Sequence, residues 1–250
     1  MILPSSYETA LLLTLLTMFC WGSWANTMKF AGRWRFELFY FDYAFGVALT
    51  GAILALTLGS MGEGLTFQDN LLITSKRALV LGFGAGCVFN LANLLLVAAI
   101  AVAGMAVAFP VGIGLALVIG VVWSYALNPQ GNPALLFSGA ALLVAGIVAV
   151  ASAYRKFQLE KLAAPAPGSR QRPQGPSFKA IGLSLACGVL MGSFYPLVEM
   201  SKAGELGLRA YTVGFVFGLG VLLSTPIYNL VFMNVPVEGP PLRLRHYFEG

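Results

Sequence analysis

Side chains able to do chemistry are few in this chain, and most of them lie inside long apolar stretches. Three amides stand out: Asn26, with Trp21, Ser23 and Trp24 close by, and Asn90 with Asn93, one helical turn apart. A buried amide must find hydrogen-bond partners. These groups therefore either join helices to one another or, with indole rings beside them, line a pocket for a flat, neutral, hydrogen-bonding molecule. Tyr195 adds a phenol in a later stretch, with Glu199 near it. Glu37 and Asp42 open the second stretch, where a helix N-terminus favours negative charge, and Arg35 is placed to pair with one of them. Ionisable groups within a membrane are functional suspects. Asp42 lies further in and is the first candidate for coupling to a proton or cation, with Glu37 the second; an interfacial anchor is the competing role.

Bond-making chemistry has little to work with. The single histidine, His246, lies outside the apolar stretches, and no HExxH motif or pair of intramembrane aspartates occurs. Cys20, Cys87 and Cys187 are odd in number and form no CxxC pair, which indicates neither a disulfide framework nor a zinc site. They read as small packing residues. The expectation is a protein that is not an enzyme and uses no metal or cofactor.

The elements that must position these residues are long. Seven apolar stretches run at about residues 10–28, 38–59, 78–103, 105–127, 134–153, 180–198 and 210–233, and nearly all charge falls between them. Roughly 20 apolar residues cross the hydrocarbon core as a helix, and lipid offers the backbone no alternative partners. The composition is 58% hydrophobic and 10% charged, with a mean hydropathy of +0.81; soluble domains carry about 25% charge. The sequence thus predicts an all-α, polytopic transmembrane bundle with seven spans, embedded in a lipid bilayer, in the cell (plasma or inner) membrane. The first stretch lacks a basic leader and carries Glu8, so it reads as a retained helix. The net charge of +5 does not indicate nucleic acid, because the basic residues flank span ends and form no aromatic-interleaved patch.

Those basic residues set orientation. With the N-terminus outside, eleven fall inside, among them Lys29, Arg33, Arg35, Arg155, Lys156 and Arg243, and four fall outside: Lys76, Arg77, Lys202 and Arg209. The assignment hangs on a turn near Ala103 and Gly104, which no charge marks. Residues 154–178 are rich in Pro, Ala, Gly and basic residues and read as a flexible cytoplasmic linker. It divides residues 1–153, a five-helix unit, from residues 179–250, two helices and a basic tail.

A faint echo crosses that divide. Gly22-Ser23-Trp24 matches Gly192-Ser193-Phe194, Ala31-Gly32 matches Ala203-Gly204, and Tyr43 with Gly46 matches Tyr211 with Gly214, all at offsets of 168 to 172 residues. A five-helix repeat is odd, so its second copy is inverted, the architecture of many secondary transporters. That copy stops after two helices, as in a chain lacking three.

Small residues recur at four-residue spacing: Gly82 with Gly86, Gly112 with Ala116 and Gly120, Gly188 with Gly192, and Gly214 with Gly218. Such stripes let membrane helices approach closely, and a backbone lining a solute path is the alternative role. Pro110, set among Gly104, Gly112 and Gly114, removes a backbone bond and predicts a kink, whose exposed carbonyls could hold a solute or ion. Pro196 and Pro226 allow the same reading.

The run from Cys20 through Trp21-Gly22-Ser23-Trp24-Ala25-Asn26 to Lys29, followed by Trp34-Arg35-Phe36-Glu37-Leu38-Phe39-Tyr40-Phe41-Asp42-Tyr43, resembles the opening of the ureide permease family, within the drug/metabolite transporter superfamily and near the glucose and ribose porters. Asn90-Leu91-Ala92-Asn93, the Gly104 to Gly114 segment and Gly192-Ser193-Phe194-Tyr195-Pro196 extend the resemblance. It implies ten helices in two inverted halves and proton-linked uptake of ureides or nucleobase-like compounds, with sugars the neighbouring class. Plant members carry a Walker A-like sequence in a long central loop, whereas residues 154–178 contain no such pattern.

The expected function is a permease that moves a small neutral polar solute by alternating access. Trp21, Ser23, Trp24, Asn26, Asn90, Asn93 and Tyr195 are its solute contacts, Asp42 and Glu37 its coupling groups, and Pro110 its helix break. A passive channel and a packing or assembly subunit are the alternatives. A second copy of the chain is a partner that the sequence leaves open.

Overall fold

The computed structural model describes residues 1–4, 6–31, 34–62, 64–104, 108–163, 178–237 and 239–248. Every regular element among them is helical: α1 (Tyr7–Ser23), a 3-10 segment (Trp24–Ala31), α2 (Phe36–Leu56), α3 (Phe67–Ile73), α4 (Lys76–Ala103), a π-helical turn (Phe109–Ile113), α5 (Gly114–Leu127), α6 (Pro133–Ala163), α7 (Phe178–Lys202), α8 (Ala210–Asn234) and α9 (Arg245–Phe248). Six helices, α2 and α4 to α8, are long and apolar enough to cross a membrane, and an integral membrane protein follows from them.

The first expected span differs. α1 is regular for 17 residues, about 25 Å at 1.5 Å per residue, which falls short of the roughly 30 Å hydrocarbon core. The chain continues from Trp24 as a 3-10 helix. Ser6 starts α1 by accepting the Thr9 amide, and Thr14 and Thr17 turn their hydroxyls back onto carbonyls one turn earlier. Polar side chains satisfied within their own helix can face lipid, and no residue of α1 is buried.

The chain packs into two compact units. One comprises Met1–Phe83 with Ser201–Gly250, the other Gly84–Met200, and α4 passes from one into the other. In the first unit α2 lies along α8. Small residues allow the approach: a Cβ on Gly218 would sit 3.1 Å from the Ala48 Cα, and one on Gly51 would sit 3.0 Å from the Gly214 carbonyl oxygen. The short α3 carries a capping box between Thr66 and Asp69, and Phe67 meets Phe215 of α8 edge-on at 5.2 Å. Ala78, Leu208 and Val216 form a small core beneath. The N-terminus is fixed beside the far end of α2: the Ile2 amide donates to the Leu58 carbonyl at 3.0 Å, and the Tyr211 hydroxyl donates to the Ile2 carbonyl at 2.5 Å.

In the second unit the small-residue stripes of α5 and α7 meet. A Cβ on Gly188 would lie 2.8 Å from the Gly112 oxygen, and one on Gly192 would lie 2.7 Å from Ile119 Cβ and 2.9 Å from the Ala116 oxygen. Only glycine permits this contact. α6 packs along α5 and the π-turn, yet its apolar window has no buried residue. α6 also runs ten residues into the expected linker. The sequence Phe157-Gln158-Leu159-Glu160-Lys161-Leu162 consists mainly of strong helix formers, and these outweigh the Pro- and Gly-rich composition that follows. Residues 164–177 of that linker lie outside the described residues. The compact units group helices by contact and leave the repeat inferred from sequence untouched.

Candidate functional site

The residues singled out by sequence divide between the two units: Trp21, Ser23, Trp24, Asn26, Glu37 and Asp42 belong to the first, Asn90, Asn93, Pro110 and Tyr195 to the second. In the second unit, Asn90 and Asn93 are 0% and 1% exposed, on the face of α4 that also buries Leu94 and Val97. Three residues beyond Asn93, the Leu96 Cδ1 would lie 3.7 Å from a Cβ on Gly112, and the Cys187 Sγ and Ser184 oxygen of α7 would lie 3.6 and 3.4 Å from it. The amide pair therefore sits one turn from the place where α4, the π-turn and α7 converge. Phe89, beside Asn90, meets Phe194 edge-on at 5.2 Å. Tyr195, next in sequence, is 49% exposed and hydrogen-bonds Glu199 on its own helix.

The expected break at Pro110 is present in a specific form. α4 ends at Ala103, and Gly104 takes φ +73°, a left-handed conformation that suits glycine. Residues 105–107 lie outside the described residues. The chain then makes a π-helical turn at Phe109–Ile113 before α5. Proline has no amide hydrogen to donate, and a ladder that slips by one residue at this point gives the π-turn, a feature found often at functional sites. Pro196 and Pro226, by contrast, lie inside α-helices that run through them.

In the first unit the aromatic and amide residues fall across a change of helix type. Gly22 and Asn26 would align on an α-helix, but the change to 3-10 geometry at Trp24 alters the rotation per residue, and Asn26 is exposed. Trp21 is exposed as well. The Ser23 hydroxyl donates to the Phe19 carbonyl within α1 at 2.8 Å. The Trp24 ring lies 5.1 Å from Tyr43, which in turn lies 5.0 Å from Tyr40.

The two carboxylates differ in their surroundings. Glu37 is 0% exposed and forms an ion pair with Arg35, while Asp42, the deeper residue in sequence, is exposed and accepts the Tyr247 hydroxyl at 2.5 Å. Arg35 also donates to the Pro240 carbonyl at 2.7 Å, and Leu242 donates its amide to the Met233 carbonyl. The segment after α8 is thus laid back over the start of α2, which shields Glu37. Tyr247 lies outside the spans, and its hydrogen bond to Asp42, with partial burial and the nearby negative charge, pushes its phenol above the ordinary value.

Sequence reasoning missed Asn229. It is fully buried in α8 and donates to the Glu37 backbone carbonyl at 3.0 Å, and among the described residues its Oδ1 has no partner. The signal was available, since an amide inside an apolar span is the mark that drew attention to Asn90. Among the described residues no group of three or more His, Cys, Asp or Glu could hold a metal ion.

No protein family, curated protein or solved structure matches the chain. Function must therefore be argued from the sites themselves.

Proposed function

We propose that this protein is a secondary transporter that moves a small, neutral, polar solute across its membrane by proton-coupled alternating access. The observation that carries the proposal is the π-helical turn around Pro110, set one turn from the buried amide pair Asn90 and Asn93. A discontinuous helix in the membrane leaves carbonyls free for a solute or ion, and two amides supply donors and acceptors in a place where water does not compete. In this reading Asn90, Asn93 and Tyr195 are solute contacts within the second unit, and Trp21, Ser23, Trp24 and Asn26 are solute contacts within the first. Asp42 and Glu37 are the coupling carboxylates. Ureides, nucleobase-like compounds and sugars are the substrate classes to test.

The same reading includes a seventh crossing. Because Ile2 is bonded to Leu58, beyond the C-terminal end of α2, the chain must return along the length of α2 before Phe36. α1 and the 3-10 segment together make that passage. With the N-terminus outside, Lys29 and Arg35 then fall inside, as the charge bias requires. An inverted five-helix repeat and a location in the cell membrane complete the proposal.

Uptake of radiolabelled allantoin, uracil and glucose into proteoliposomes, with and without a proton gradient, tests it. Saturable uptake of one of them, raised by the gradient and lost in Asn93→Leu, is the expected result. Saturable uptake of none overturns the proposal. Non-saturating flux that ignores the gradient identifies a channel. The unburied apolar window of α6 favours an assembly subunit as the second reading, which a stoichiometric membrane partner on purification would identify.

A further inference from the structure

The ring of Tyr247 sits in a notch built by the start of α2. Trp34 lies against one side, with ring centroids 5.1 Å apart and planes inclined by 34°, and Phe41 meets it edge-on at 6.1 Å with planes at 77°. At the tip the Tyr247 hydroxyl donates to Asp42 Oδ1 at 2.5 Å. One wall is tilted and the other edge-on, both at centroid separations within the roughly 4.5–7 Å range of favourable aromatic pairs. A carboxylate at the tip selects a donor, since an ionised carboxylate only accepts. The occupant's chemistry therefore describes the site: a flat ring that carries an O–H or N–H on its edge.

We propose that Trp34, Phe41 and Asp42 form a binding site for a flat, donor-bearing ring, and that Tyr247 is its intramolecular occupant, which a ligand of the same chemistry displaces. The segment that carries Tyr247 lies at the surface of the first unit. Arg35 donates to Pro240, Leu242 to Met233, and the short α9 has no buried residue. Exchange of one ring for another costs no new cavity, because the walls are already in place. Asp42 is exposed and reachable, whereas the Glu37 carboxylate is fully buried against Arg35. The inference stands apart from the transport reading, since it concerns binding alone.

The test uses the full chain in detergent or nanodiscs and two probes: p-cresol, which is the tyrosine side chain itself, and toluene, which keeps the ring and lacks the donor. Tyr247→Ala should bind p-cresol at least tenfold more tightly than the wild type does, and should prefer it to toluene at least tenfold. Adding Asp42→Leu should abolish that preference. Equal p-cresol binding by wild type and Tyr247→Ala overturns the proposal, as does a preference that survives Asp42→Leu. Should Tyr247→Ala not fold, Tyr247→Phe carries the test through hydrogen exchange of residues 239–248. Faster exchange than in the wild type supports the notch, and unchanged exchange overturns it.

Discussion

Asn70 takes no part in crossing the membrane, yet it holds one end of the first unit together. Its Nδ2 donates to the Gly207 carbonyl at 3.1 Å and its Oδ1 accepts the Arg209 amide at 2.8 Å, both from a fully buried position. Asn70→Ala removes both bonds and strands two backbone groups, which costs about 1–3 kcal/mol each when they stay dry. A lower midpoint in thermal or denaturant unfolding is the expected outcome, with Gln68→Ala, two residues away and exposed, near neutral. Asp69 gives a pH-dependent counterpart. Its bonds from the Thr66 hydroxyl and amide hold the carboxyl below the ordinary value. The capping box is therefore intact above about pH 3.9, the unfolded value for aspartate, and is lost as the pH falls through the lower folded value. A titration of the Asp69 carboxyl by NMR in Thr66→Ala should move back toward the ordinary value. These roles were not legible in the sequence, because Asn70 sits 137 residues from Gly207 and nothing local announces the pairing. The burial of Asn90 and Asn93 was legible, since both lie deep in an unbroken apolar run. The burial of Glu37 and the exposure of Asp42 were not legible, because depth along a sequence says nothing of the segment that folds back from residue 240 to cover one of them.

At the scale of helices, the glycine stripes divide into those in contact and those facing open space. Gly192→Ala places a Cβ against the Ala116 carbonyl oxygen and the β-branched Ile119 side chain, and relief requires α5 and α7 to separate. A loss of about 1–3 kcal/mol is expected for such overpacking, read as reduced thermal stability in detergent. Gly146→Ala meets nothing within 4 Å and should be neutral or stabilising by up to about 1 kcal/mol through helix propensity. The partners of the stripes could not be read from spacing alone. Four-residue periodicity identifies a face that packs, whereas the choice of α5 for α7 and of α2 for α8 is decided by three-dimensional fit. The break at Pro110 was legible from the missing amide hydrogen. Its π-helical form was not, and neither was the 3-10 segment after Ser23, where the Trp- and Asn-containing sequence carries no proline or glycine to mark a change of geometry.

For the molecule as a whole, six long apolar helices predict that the protein stays with membranes through an alkaline carbonate wash, while a peripheral protein would be released. The tie between Ile2 and Leu58 makes a sharper prediction. Single cysteines at Ser6 and Gly62 should react with a membrane-impermeant maleimide from the same side, and a cysteine at Lys29 from the other. Labelling of Ser6 and Lys29 from one side would remove the seventh crossing. The fold class was legible throughout, because a bilayer imposes helices on any long apolar run. The grouping into units was not, since the first unit joins the beginning of the chain to its end.

That joining has a consequence for biogenesis. α2 is complete at Leu56, but the helix it packs against does not begin until Ala210. At about 5–20 residues per second, a ribosome needs roughly 8 to 30 s to synthesise the interval. For that time the small-residue face of α2 and the backbone carbonyl awaiting Asn229 have no native partner, so the insertion machinery must shelter them. Slowing translation between residues 57 and 209 should lengthen this exposure and increase degradation of the nascent chain, whereas slowing it after Asn234 should not.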